Sequence, residues 1–129
     1  MTTNKTKVAI IEDDMAIVQM YRTKFENEGY DVATAGDGAS GLELIETFEP
    51  DIILLDLMMP NMTGLDMLSK LRNQPSGRDA KVVVLTNMGD TETATRVYKM
   101  AADDYIVKAE MTPKQVAERV KNLLEKKSA

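Results

Sequence analysis

An α/β fold with a parallel sheet is what this sequence predicts, and three features predict it. Short apolar runs alternate with stretches whose apolar residues recur every three or four positions, so strand and helix patterns follow one another five times. Three of the four strongest apolar runs are unbroken rather than alternating, as expected of strands covered on both faces. No repeat or linker-like tract interrupts the pattern over 129 residues, a length that suits a single domain with one core. Right-handed crossovers that place helices on both faces make such a sheet doubly wound.

The first strand is Val8-Ala9-Ile10-Ile11. Ile17, Tyr21 and Phe25 then recur every four residues up to Gly29, a residue suited to stopping a helix. Residues Tyr30 to Thr34 alternate apolar and polar and read as an edge strand. A stripe of Leu42, Ile45 and Phe48 gives the second helix, and Ile52-Ile53-Leu54-Leu55 the third strand, which ends on Asp56. Leu65, Leu68 and Leu71 mark the third helix, followed by the strand Val82-Val83-Val84-Leu85. The helix from Thr91 to Ala101 is the weakest, with Ala94, Val97 and Ala101 as its apolar side; Tyr105-Ile106-Val107 is the last strand. The fifth helix is the best marked. Thr112-Pro113-Lys114-Gln115 supplies an N-cap, a proline at the first helical position and a capping-box glutamine, and Val116, Val120, Leu123 and Leu124 follow.

Composition removes several function classes. Hydrophobic content of 43% and charged content of 29% are those of an ordinary globular protein, and no apolar run is long enough to cross a bilayer. The N-terminal MTTNKTKVAII lacks the order of a secretory signal and the chain has no cysteine, so a cytoplasmic location is expected. A net charge of −5, with no basic run longer than Lys126-Lys127, argues against a direct nucleic-acid surface. Histidine is absent altogether, which leaves carboxylates, hydroxyls and lysine for any chemistry.

In doubly wound sheets ligands sit outside the carboxyl ends of the strands. At those ends this chain carries Glu12-Asp13-Asp14, Asp56, Thr86 and Lys108. Each has an ordinary reading alone: Asp14 as the N-cap of the next helix, Thr86 as a cap or a β-branched strand residue, Lys108 as a solvated side chain. Together they are harder to explain so. Two like charges about 4 Å apart cost roughly 4 kcal/mol at an effective dielectric near 20, and a hard divalent cation such as Mg²⁺ offsets that cost with oxygen ligands. A lysine and a hydroxyl across the crevice then suit an anion, and the set suits phosphoryl transfer. Asp56, on the most buried strand, is the candidate nucleophile, because rigid elements place reacting groups better than loops do.

These residues closely resemble the response-regulator receiver domain of two-component signalling. The resemblance rests on the acidic pair in "AIIEDD", on "LLDLMMPNMTG" with Pro60 and Gly64 behind Asp56, on "VVVLTNM" and "AADDYIVK", and on the intervals between them. It runs from about Lys7 to Leu124, so the expectation is a stand-alone receiver with residues 1–129 as one domain. It implies a flavodoxin-like sheet of order 2-1-3-4-5. It further implies that Asp56 accepts a phosphoryl group from a phosphohistidine on a histidine kinase or histidine phosphotransfer protein. Mg²⁺ would be held by Asp13, Asp56 and the backbone carbonyl of Met58, with Glu12 reaching it through water. Lys108 would pair with one phosphoryl oxygen and Thr86 with another, while Tyr105 moves inward. The change would be read on the surface of the fourth helix, fifth strand and fifth helix by a downstream protein target, and the same helices offer a face for a phosphorylation-dependent homodimer. Such a protein catalyses only its own phosphorylation and dephosphorylation.

Departures from the family pattern are informative. Lys108 precedes Ala109 where the family usually has a proline in a cis peptide, so either that bond is a strained non-proline cis or Lys108 is presented differently. Ala101 stands where glycine is frequent. Met58 and Met88 lie two residues beyond Asp56 and Thr86, and thioethers orient water poorly, so slow hydrolysis of the acyl phosphate is expected; the alternative is that both simply pack. Two rival readings stay open: a Mg²⁺-dependent phosphatase, which needs a second acid where Met58 stands, and a receiver-like module that is never phosphorylated.

Overall fold

The computed structural model describes residues 5–59, 62–75, 79–87 and 91–125. Five strands and five helices alternate: β1 (Lys7–Ile11), α1 (Met15–Asn27), β2 (Asp31–Ala35), α2 (Gly38–Phe48), β3 (Ile52–Asp56), α3 (Gly64–Arg72), β4 (Lys81–Thr86), α4 (Thr91–Lys99), β5 (Asp104–Val107) and α5 (Pro113–Glu125). All four pairings are parallel and the order is β2-β1-β3-β4-β5, as expected. β1 and β3 are therefore neighbours, with Ile11 beside Leu55, so the acids that follow them leave the sheet side by side.

The unbroken apolar runs have a clear cause. Side chains of a strand point alternately to its two faces, and both faces of this sheet are covered. Ala9, Ile11, Ile53, Leu55, Val82 and Val84 pack on Ile45 of α2, Met67, Leu68 and Leu71 of α3 and Val97 of α4. Val8, Ile10, Ile52, Leu54, Val83, Leu85 and Ile106 pack on Tyr21 and Phe25 of α1 and Val116, Ala117 and Val120 of α5. The expected single core is thus two layers divided by the sheet.

The caps explain where the helices start. Asp14 Oδ1 accepts from the amides of Ala16 (3.0 Å) and Ile17 (3.3 Å), which gives this acid its capping role. Thr112 and Gln115 form the reciprocal box, amide to side chain in each direction, at 2.8 and 3.2 Å. The fourth helix departs from expectation at its end. It stops at Lys99, and Ala101 is exposed and left-handed, with φ of 70°, rather than part of an apolar face. A side chain in that region costs about 1–2 kcal/mol, which is why glycine is the more common solution at such a turn.

Candidate functional site

Two neighbouring strands bring the three acids together. Glu12 and Asp13 follow the last residue of β1, and Asp56 is the last residue of β3. One carboxylate oxygen from each lies within 4.8 Å of the others. Glu12 and Asp56 are buried, at 3% and 4% exposure, while Asp13 is open to solvent. The loop after β3 holds Asp56 in place: the Met58 amide donates to Asp56 Oδ1 at 3.1 Å, and the Gly64 amide donates to the Leu57 carbonyl at 3.1 Å. Gly64 is required sterically, since a Cβ there would stand 2.5 Å from the Asp56 carbonyl oxygen and 2.6 Å from Leu57 Cα. Pro60 and Met88, singled out in the sequence, lie outside the described residues.

Lys108 crosses the crevice from the far side of the sheet. Its Nζ lies 2.5 Å from Glu12 Oε1 and 3.5 Å from Asp56 Oδ2, and its side chain is 11% exposed. The second oxygen of Glu12 accepts the Asp14 amide at 3.1 Å, so this carboxylate bridges the lysine and the loop after β1. No cis peptide bond occurs among the described residues; Lys108 opens a short 3₁₀ turn, Lys108–Glu110, and still reaches the acids. Of the two alternatives for this position, the strained non-proline cis bond is not the one found. The lysine's pairing with Glu12 was not visible in the sequence, where Lys108 had only an anion to serve.

Electrostatics follow from that burial. The Glu12 carboxyl is pushed up from 4.5 to about 7, because desolvation outweighs the Lys108 hydrogen bond and the Asp14 amide, and the charge of Asp56 adds to the rise. Burial alone would lower Lys108, but Glu12 and Asp56 outweigh it and its ammonium is held more firmly than usual. Three acids around one cation leave surplus negative charge. Hard carboxylate oxygens this close together are the donor set that suits Mg²⁺.

Thr86 and Tyr105 belong to the neighbouring strands. Thr86 ends β4, fully buried and in register with Val107; Tyr105 is half-buried and paired with Val84. Val84 and Tyr105 pack in the layer beneath α2, α3 and α4, and alternation puts Thr86 on that same face. One feature of the opposite face was missed. Arg119 of α5 grips Asp104 of β5 with two hydrogen bonds, Nε to Oδ2 at 2.8 Å and Nη2 to Oδ1 at 2.5 Å. The signal was an acid placed at the start of an apolar strand, which needs a partner once buried.

Known proteins resemble this chain over most of its length. Residues 8–121 match the family model described as the response regulator receiver domain. The chain is similar to a "Probable transcriptional regulator ycf27" of Cyanophora paradoxa, 32% identical over 96% of this chain and 50% of the relative. It is likewise similar to the "DNA-binding response regulator MtrA" of Mycobacterium tuberculosis, 34% identical over 94% of this chain and 51% of the relative. The chain therefore spans about half the length of these curated relatives. Among solved structures, a CheY-like response regulator receiver domain protein from Methanospirillum hungatei superposes with a TM-score of 0.88 at 28% identity, covering 96% of this chain and 97% of that one.

Proposed function

The chain belongs to the response regulator receiver domain family, and from that premise we propose that it is a phosphoacceptor switch in which Asp56 takes a phosphoryl group from a phosphohistidine on a histidine kinase or histidine phosphotransfer protein. The observation that carries the proposal is the convergence of Glu12, Asp13 and Asp56 within 4.8 Å beside Lys108. An Asp56 oxygen forms the bond to phosphorus as the phosphorus–nitrogen bond breaks, and the departing imidazole keeps the electron pair. The Met58 amide restrains the carboxylate from rotating, which favours one line of attack.

Asp13 and Asp56, with the Met58 carbonyl and with Glu12 through water, would hold Mg²⁺. An ion held there would supply charge neutralisation at the transferring oxygens. Lys108 supplies the second cation once Glu12 releases it, and Thr86 supplies a hydroxyl at the end of the next strand. The new charge draws Thr86 and Lys108 toward the phosphoryl group, and Tyr105 follows on the same face of the sheet. We place the read-out on α4, β5 and α5, where Asp104 and Arg119 already join strand to helix. The target is a protein, and this face also fits a phosphorylation-dependent homodimer. A net charge of −5 keeps direct nucleic-acid contact out of the proposal for this chain, and a cytoplasmic home goes with its kinase partner. No helix among the described residues is long and apolar enough to cross a membrane.

Incubation with Mg²⁺ and acetyl phosphate tests the reading. One phosphoryl group should appear by intact mass on the wild type and none on Asp56→Asn. Steady turnover of a phosphomonoester would instead revive the phosphatase reading, against which Met58 stands in the place of the needed acid. The 60% exposed Met58 thioether offers water no strong acceptor, so the acyl phosphate should be long-lived. Met58→Asn should shorten its life, and unchanged phosphate release would count against this.

A further inference from the structure

Ten methionines make up an unusual share of this chain, and they are not equivalent. Met59 and Met67 are buried, at 8% and 0% exposure. Met62 packs over Gly38, where a Cβ would meet its sulfur at 2.7 Å. Among the described residues only Met15, Met20 and Met58 are widely exposed, at 65%, 42% and 60%. Met20 sits mid-way along α1, and Met15 opens that helix behind Asp14. Met58 alone is tied to the reacting carboxylate, through the 3.1 Å bond from its amide to Asp56 Oδ1. Its backbone is fixed beside Asp56 while its side chain stands in solvent.

We propose that Met58 is an oxidation site through which peroxide-class oxidants shorten the life of the phosphorylated state; the idea rests on the phosphoacceptor reading above. The step is a two-electron transfer of oxygen. With hydrogen peroxide the thioether sulfur attacks one oxygen, the O–O bond breaks as a sulfur–oxygen bond forms, and the departing hydroxide takes the proton of the sulfur-bound hydroxyl to leave water and the sulfoxide. Sulfur is oxidised and the peroxide reduced. The product replaces a weak acceptor with a strongly polar sulfoxide oxygen. Placed two residues from Asp56, that oxygen can accept a hydrogen bond from a water approaching the acyl phosphate, the role a thioether fills poorly. Orientation of a nucleophile lowers a barrier without new covalent chemistry. A thiol-dependent sulfoxide reductase would reverse the change, which makes it a switch rather than damage. Exposure selects the residue and its neighbour gives the oxidation a consequence; the buried Met59 and Met67 lack the first, and Met20 lacks the second.

The experiment uses the full chain and graded hydrogen peroxide, removed before phosphorylation with Mg²⁺ and radiolabelled acetyl phosphate. Peptide mass mapping should place added oxygen on Met58 at doses that leave Met59 and Met67 unmodified. Decay of the label should then quicken by about three- to tenfold relative to untreated protein, and sulfoxide reductase should restore the slow decay. The same acceleration should persist in a Met15→Leu/Met20→Leu background and vanish in Met58→Leu, each variant being compared with its own untreated sample. Met58→Gln, which carries a permanent amide acceptor, should decay quickly without oxidant. Full conversion of Met58 with unchanged decay overturns the inference alone, as does equal acceleration in Met58→Leu or slow decay in Met58→Gln. Failure of the untreated wild type to take up label overturns the phosphoacceptor reading, and the inference falls with it.

Discussion

The two ends of the same five strands are built from similar residues and treat charge in opposite ways. At the amino ends Asp51 and Asp103 are satisfied locally. Asp51 accepts the Lys7 amide at 2.8 Å, and Asp103 accepts the Val82 amide at 2.8 Å. Arg72 donates to the carbonyls of Ala80 (2.8 Å) and Ala101 (2.5 Å), and it lies 3.5 Å from Asp103. Lys7 donates to the Phe48 carbonyl at 3.1 Å. These groups close the ends of strands and helices, as buried backbone requires. At the carboxyl ends Glu12 and Asp56 share Lys108, Asp13 stands beside them, and charge is left over. The lesson is that polar residues at a strand end become interesting where their partners in the chain run out.

The sharpest way to break this contrast is to remove one lysine from each end. Lys108→Met should slow phosphoryl uptake about a hundredfold, the usual loss when a preorganised charge is deleted from a transfer site, whereas Lys7→Met should leave the rate within about twofold. Equal effects in a timed uptake assay would show that the ends do not differ in kind.

Arg72 offers the converse. Arg72→Met strands two carbonyls and should lower the unfolding free energy by about 2 kcal/mol, read from urea denaturation, while Asp56 still takes up its phosphoryl group. Loss of uptake without loss of stability would mean that the amino end takes part in the chemistry.

How much of this was legible in sequence depends on range. The strands, the caps at Asp14 and Thr112 and the candidacy of Asp56 could be read because each is written within a few consecutive residues. The 2-1-3-4-5 order came from the family resemblance, since no local pattern says which strands are neighbours. Lys108 with Glu12 and Arg119 with Asp104 were illegible as pairs: they join residues 96 and 15 positions apart through the packed sheet. The turn at Ala101 was misplaced because alanine favours a helix, whereas the amide of Ala102 closes back on the Val97 carbonyl at 3.0 Å in a helix-ending turn that apolar spacing does not announce. The division of one expected core into two layers follows from alternation once the sheet exists, but total apolar content cannot show it.

A smaller effect should separate the ends by pH. A carboxyl that holds its proton more tightly when folded stabilises the fold below its ordinary value and loses that contribution as pH rises through the folded one. Glu12, raised from 4.5 to about 7, should therefore make stability measured in chelator fall across that interval. The slope should flatten in Glu12→Gln and persist in Asp51→Asn, as urea midpoints at several pH values will show. Magnesium affinity should weaken as pH drops below about 7 for the same reason.

The smallest expected change is a gain. Ala101→Gly relieves the left-handed backbone at the cost of unfolded-state freedom, and should raise stability by about 0.5–1 kcal/mol. A fall in thermal midpoint would show that Ala101 makes a contact worth more than its strain.

Amide NMR during a magnesium titration tests the contrast most directly. Saturable shifts should appear at Asp13, Asp14, Met58 and Ala109, around the surplus acids, while Asp51, Val82 and Ala101 at the other end stay unmoved. Shifts of equal size at both ends, or none at Asp13 and Met58, would contradict the account.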